Sequence, residues 1–468
     1  MKRVSKNFLS LFLSDAASRI LGFIAIVYIA RTLTIEGFGF INYGLAFLTY
    51  ALLFTNPGLT TIGAREIAKD VSNRKVIDEI FGLRLSLSGC VFLVFIIGLL
   101  LIPGHPITKK IILFYLFSLF PFAFLLEFVF QGREEMEFIG ISRLVQYAIY
   151  VIFISVLLKT SRDIVMVPVA FLIGYSAAAL FLLIIFLRKY KSIQIKFSFR
   201  FWRRLLAVST PVGLATIFNS ASLNFPPLIL GIMYSKTEVG AFSAGFKVIV
   251  VLLIVERVFH YVFFPVISKQ YALAPEKLKS SFALLTRILF AITIPLTLGG
   301  IILAPNIISL IYGAGYESAV MIFRILLLYF LIAPINSIFG YGLVAINQER
   351  QFFKVITITT FLNFILIVLL GLFYNAEGVA AALFISEMIG IIVMNRELKR
   401  HVRFRSLKYI FKPLISSLVM AIILYVLNDL STVISLILGL FAYVMLFYFI
   451  RGFSRKDLEN LKQAITQK

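Results

Sequence analysis

Apolar runs of about 20 residues recur from one end of the chain to the other, and each is long enough to cross a bilayer as a helix. Short polar segments separate them. Fourteen such runs are predicted, over 8–31, 39–63, 79–102, 110–131, 139–159 and 164–187, then 206–234, 240–268, 281–304, 318–345, 352–373 and 376–396, and finally 410–428 and 431–450. The longest polar stretches, 188–204 and 396–412, divide them into six, six and two. The fold class expected is an all-α polytopic membrane protein with about 14 transmembrane helices. Its divisions are an N-terminal six-helix lobe (1–190), a basic linker (191–205), a C-terminal six-helix lobe (206–396), a second basic linker with helices 13 and 14 (397–450), and a tail (451–468).

The two six-helix blocks superpose at an offset of 201, which also aligns Gly39 and Gly44 in TIEGFGFINYG with Gly240 and Gly245 in TEVGAFSAG. This predicts pseudosymmetric lobes, an architecture that transporters use with the substrate site between the repeats. In the seventh run, Asn224-Phe225-Pro226-Pro227 removes two amide donors. Pro226 and Pro227 mark either a cavity-lining hinge or a rigid kink.

Composition fits this pattern: 60% of 468 residues are apolar and 14% are charged. The formal charge of +23 is arranged by topology. With the amino terminus inside, the segments facing the cytoplasm carry 32 of the 45 Lys and Arg, against 6 in the outward loops. Both termini and both basic linkers are therefore expected to be cytoplasmic, in a multi-pass cell-membrane protein. The excess charge does not mark a nucleic-acid binder, because neither linker is long enough to form a soluble domain. Cys90 is the only cysteine, and His105, His260 and His401 have no ligand-spaced partners, so neither a disulfide nor a metal site is expected. The basic start leads into an apolar run that is too long for a signal peptide and is interrupted by Asp15 and Arg19, so it reads as a retained helix.

Seven cations fall within or near the ends of the apolar runs: Arg19, Arg84, Arg143, Lys247, Arg257, Arg287 and Arg324. A charge in mid-span costs about 2.5–3.5 kcal/mol on insertion scales and therefore faces a partner or water. Asp15 is one turn from Arg19 on the same helix face, suited either to neutralising it or to sharing a site with it. Helix 8 carries Lys247, Glu256, Arg257 and His260, with the two cations about 80° apart on a helical wheel. By depth, Arg84 and Glu127 fall in the inner third, Arg19 and Arg257 near the middle, and Lys247 and Arg324 in the outer half. Facing a common space, these residues would form a cationic track, although Arg84 and Glu127 are also placed to snorkel. A cargo held by such groups is anionic, with phosphate the natural candidate. Asp15, Glu127, Glu256 and His260 are the candidates for charge pairing or coupling.

Several segments resemble one family: SRILGF at 18–23, the first-helix exit ARTLTIEGFGFINYG, NPGLTTIGAREIAKD at 56–70, FQGREEMEFIGISRL at 130–144, SKTEVGAFSAGFKVI, IYGAGYESAVMIFRILLL and NAEGVAAALFISE. Together they are similar to the polysaccharide and oligosaccharide-lipid flippases of the multidrug/oligosaccharidyl-lipid/polysaccharide exporter superfamily. The resemblance implies two six-helix lobes, a central hydrophilic cavity, and alternating access that carries a polyprenyl-diphosphate-linked sugar from the inner to the outer leaflet. It implies no enzyme activity and no cofactor. The implied partners are membrane lipids, a coupling ion (H+ or Na+) or the membrane potential, and polysaccharide-assembly membrane proteins.

SRILGF also resembles the first helix of lipid II flippases, which implies a cavity-facing role for Arg19, and Lys247 stands where the family often has a basic residue. Two departures matter. Ile24, Ala25 and Ile26 stand where lipid II flippases carry a further basic position, and Pro226 stands where many relatives have an acid. The first favours a surface-polymer repeat unit over a peptidoglycan precursor; the second means that no coupling role of that acid carries over to this chain. A cation-coupled drug exporter of the same superfamily is a further alternative, disfavoured by Arg19 and the extra helix pair. A membrane glycosyltransferase or polymerase is disfavoured by the short outward loops.

Overall fold

The computed structural model describes the backbone of residues 2–453 apart from 71–73, 102, 191, 193, 403–405 and 428–430; the side chains of 2–13, 212, 215–223, 257, 258, 260–262, 406 and 407 lie outside the described residues. The described chain is helical throughout, without strands, and divides into two compact units, Met1–Gly240 and Ala241–Lys468. Ten of its helical runs are long and apolar enough to cross a membrane. Fourteen expected helices reduce to ten because three fall outside the count and two merge. The first and seventh are only partly described, 352–373 and 376–396 form one run, and the thirteenth spans only 16 residues. Leu93, Val94, Leu100, Leu101, Tyr425 and Tyr448 are exposed, a pattern that water penalises and lipid does not.

The first unit runs through α1 (Lys2–Thr32), α2 (Ile35–Thr55), α3 (Leu59–Lys69), α4 (Arg74–Leu101), α5 (Pro106–Phe117), α6 (Leu119–Phe124), α7 (Glu127–Gly132), α8 (Met136–Leu157), α9 (Met166–Tyr190) and α10 (Phe199–Met233). Two of the expected helices are broken. The run over 39–63 stops at Thr55, because Pro57 lacks an amide and Gly58 takes φ 75°; Asn56 then caps α3, accepting from the Thr60 N–H at 3.1 Å. The run over 110–131 is divided at Ser118 and again at Leu125–Leu126. Pro226 and Pro227 lie inside α10, which continues as helix through both.

The second unit is built from α11 (Lys236–Leu252), which begins at the end of the first unit, followed by α12 (Ile254–Leu273), α13 (Leu278–Ile302), α14 (Ala304–Tyr312), α15 (Ala319–Ala345), α16 (Glu349–His401), α17 (Phe411–Val426) and α18 (Thr432–Phe449). The 53-residue α16 is interrupted at Tyr374 and at Asn375, whose φ is 49°. Asparagine tolerates that left-handed backbone better than most residues. The turn falls between the two expected helices. Helix 8 divides at Leu253, so the wheel that related Lys247 to Arg257 does not carry across it. The C-terminal pair packs on α13, with Tyr443 Oη donating to the Ala291 carbonyl at 2.7 Å.

The repeat-related glycines meet in the first unit. A Cβ on Gly39 would fall on the carbonyl oxygen of Lys236, and one on Gly240 would fall on that of Ile35. Ile35 and Lys236 are themselves 201 apart, so the contact is reciprocal. Either glycine→Ala change is expected to destabilise by about 1–3 kcal/mol through overpacking. The double variant should cost less than the sum, because both changes force apart one contact. Thermal denaturation in detergent checks this; strict additivity would mean the two contacts are independent.

Candidate functional site

The breaks in α2 and in α5–α7 shape a cleft of about 480 Å³ inside the first unit. One wall is α1, which supplies Asp15, Ser18 and Arg19; another is α8, with Arg143, Gln146 and Tyr147. Asn56, Gly58, Thr60 and Thr61 come from the turn that starts α3, Glu127 from the first residue of α7, and Tyr175 from α9.

The charges are paired. Arg19 Nε donates to Asp15 at 2.8 Å, as the one-turn spacing predicts. Arg143 reaches Glu127 through Nε and Nη2, at 3.3 and 3.4 Å, and its Nη1 is 3.9 Å from Asp15. The row Arg19, Asp15, Arg143, Glu127 therefore alternates in sign and balances. Its side chains remain between 26% and 40% exposed, open to the cleft. Exposed pairs of this kind add about 0–1 kcal/mol of stability, so they do little to hold the fold.

Arg84 also borders the cleft but is committed to the backbone. It is 2% exposed, which corrects the snorkelling expectation. Its Nη1 donates to the Leu125 carbonyl and its Nη2 to that of Phe122, both at 2.8 Å, while its guanidinium lies 5.0 Å from the Phe122 ring. These carbonyls stand where the helix ladder stops between α6 and α7, and the planar fork of Arg bridges both.

The second unit repeats this device with Arg324, whose Nε donates to the Ile301 carbonyl at 3.1 Å. Pro305 lies four residues after Ile301 and has no N–H, so Arg324 supplies the donor that α14 lacks. Arg84 and Arg324 thus both donate to main-chain carbonyls at helix ends. Glu256 accepts from Ser337 Oγ at 2.6 Å, beside Phe259 and Phe263. Lys247 is half-buried in α11, with no hydrogen bond or ion pair among the described residues. The side chains of Arg257 and His260 lie outside the described residues. Pro226 is buried and Pro227 partly so.

On α8, Gln146, Tyr147 and the site role of Arg143 were not singled out from sequence, nor were Asn56, Thr60 and Tyr175 elsewhere in the lining. The spacing on α8 was a usable signal, since positions i, i+3 and i+4 share one helix face in an otherwise apolar segment. The Asn336–Glu387 pair, at 2.7 Å in the second unit, was also missed.

A family model described as "Polysaccharide biosynthesis protein" matches residues 4–270, more than half of the 468-residue chain. The "Putative O-antigen transporter" of Escherichia coli is 24% identical over 396 residues, covering 82% of this chain and 94% of that protein. The "Capsular polysaccharide biosynthesis protein CapF" of Staphylococcus aureus is 24% identical over 401 residues, covering 83% and 97%. Among solved structures, the lipid II flippase MurJ in an inward closed conformation aligns with a TM-score of 0.73 and 17% identity, over 94% of this chain and 98% of that one. At that identity the likeness is one of fold.

Proposed function

The chain belongs to the polysaccharide biosynthesis protein family, and from that premise we propose that it is a flippase carrying a polyprenyl-diphosphate-linked oligosaccharide, the repeat unit of a surface polysaccharide, from the inner to the outer leaflet. The observation that carries this reading is the cleft of paired charges and hydroxyl-bearing side chains in the first unit. Arg19 and Arg143 have guanidinium donors besides those given to Asp15 and Glu127. Each carboxylate occupies a place that a phosphate oxygen can take. Asn56, Thr60, Tyr147 and Tyr175 add the mixed polar and aromatic lining that suits a sugar. Lys247 is the further cation assigned to the substrate.

Exchange of carboxylate for phosphate gives the site a coupling step. A diphosphate that takes over Arg19 and Arg143 leaves Asp15 and Glu127 uncompensated, and a proton on either relieves that. Proton movement and the membrane potential then both act on transport. About two negative charges moving outward through 100 mV gain at most roughly 4.6 kcal/mol. Asp15→Asn, which mimics the protonated acid, is expected to retain substrate binding while flipping loses its response to an imposed pH gradient. An unchanged response would remove Asp15 from coupling.

Fourteen passes, two six-helix lobes working by alternating access, and both termini in the cytoplasm complete the reading. Reporter fusions at Lys196 and Lys408 are expected to be active only inside; an outward-active fusion at either reverses the orientation. For the function itself, depletion of the protein should trap labelled lipid-linked glycan on the inner leaflet. Normal outer-leaflet appearance after depletion would overturn the proposal.

A further inference from the structure

The segment joining α9 to α10 is basic and was expected to be a plain linker, yet its hydrophobic pattern is inverted. From Ile195 to Phe199 the chain reads Ile-Lys-Phe-Ser-Phe; Ile195 to Ser198 are not helical, Ser198 has extended dihedrals of −123° and 93°, and Phe199 opens α10. In an extended chain alternate side chains point to opposite faces. Here the polar residues point in. Lys196 Nζ lies 3.1 Å from the buried carboxylate of Asp78, and the Gln194 N–H donates to the other oxygen of that carboxylate at 3.0 Å. The carbonyl oxygen of Lys196 sits where a Cβ on Gly82 would be, so the strap lies directly against α4. Its start is tied as well, because Lys189 Nζ and Tyr190 Oη both reach Glu135, at 2.8 and 3.0 Å.

The apolar residues point out: Ile195 is 50% exposed, Phe197 71% and Phe199 82%. Water disfavours this arrangement, because the strap turns its lysine onto the Asp78 carboxylate and displays its aromatic rings. Exposed Arg200, Arg203 and Arg204 follow immediately at the start of α10. Aromatic side chains beside a cluster of arginines match the interface of a bilayer that carries negative headgroups. We propose that this strap is an anionic-lipid-binding element: Asp78 and Gly82 hold its polar face on the protein, Phe197 and Phe199 enter the acyl boundary, and Arg200, Arg203 and Arg204 engage lipid phosphates. It is separate from the cleft and does not depend on the identity of the transported molecule.

The test places an environment-sensitive fluorophore at Phe197→Cys in full-length protein carrying Cys90→Ser. The protein is reconstituted in phosphatidylcholine vesicles with or without phosphatidylglycerol. The expected result is a blue-shifted emission when phosphatidylglycerol is present, lost at high salt and lost in the Arg200→Gln, Arg203→Gln, Arg204→Gln variant. That variant leaves the Asp78 clamp intact, so loss of signal does not reflect unfolding. A second readout, quenching of the probe by a spin-labelled phosphatidylglycerol, should follow the same pattern. A water-like emission in both vesicles overturns the proposal, and so does an equal blue shift in both, since the charge of the lipid would then play no part.

Discussion

Arg84→Ala is expected to prevent accumulation of folded protein. The substitution takes from the Leu125 carbonyl the donor that reaches it at 2.8 Å and removes one of two donors from the Phe122 carbonyl, which keeps the Leu125 N–H at 3.1 Å. A buried main-chain acceptor deprived of its partner costs about 1–3 kcal/mol, and the lost bond to Phe122 adds about 0.5–1.5 kcal/mol, so the two together amount to about 1.5–4.5 kcal/mol. That is a large share of the roughly 5–15 kcal/mol that holds a typical fold together. Arg84→Lys keeps the charge but not the planar fork, and should recover only part of the loss. Yield and thermal midpoint in detergent read the effect. If Arg84→Ala protein accumulates normally and fails only in transport, the residue acts on the substrate and its capping role is secondary.

Arg19→Ala is expected to do the opposite, sparing the fold and disabling transport. The Arg19–Asp15 pair is about one-third exposed to the cleft, and its removal leaves Asp15 with Arg143 at 3.9 Å. Stability should change by no more than about 1 kcal/mol. A hydrogen bond to a charged phosphate contributes about 1.5–3 kcal/mol, so flipping should fall by roughly 10- to 100-fold. Protein abundance and transport rate, measured on the same preparation, separate the possibilities. If Arg19→Ala mainly lowers abundance and Asp15→Asn restores it, the pair is packing.

The membrane class was legible because a spanning helix must be apolar over a length set by the bilayer. The Arg19–Asp15 pair was legible because one turn of helix places both on one face. Arg84 was not, because its partners are main-chain carbonyls released at Leu125–Leu126, where neither proline nor glycine announces a break. Half of the Arg324 contact was visible: Pro305 declares the orphaned Ile301 carbonyl, but the helix that supplies the donor is set by tertiary packing. The straight-helix assumption failed at Asn56–Gly58 and at Leu253, and both failures moved residues relative to a simple wheel. The inverted strap was missed because reading Arg188 to Arg204 as a charge run hides the alternation within Ile195–Phe199.

The most direct measurement of the central claim is flipping in vesicles that contain only the purified protein and a fluorescent polyprenyl-diphosphate oligosaccharide, followed by loss of protection from an impermeant reagent. Wild-type protein should flip the lipid, and Arg19→Ala protein should do so roughly 10- to 100-fold more slowly. A polyprenyl alcohol carrying the same sugar but no diphosphate should move equally slowly with either protein. If wild-type and Arg19→Ala proteins flip the diphosphate lipid at the same rate, or if the lipid without phosphate is carried as fast as the diphosphate, the cleft of paired charges is not the transport site.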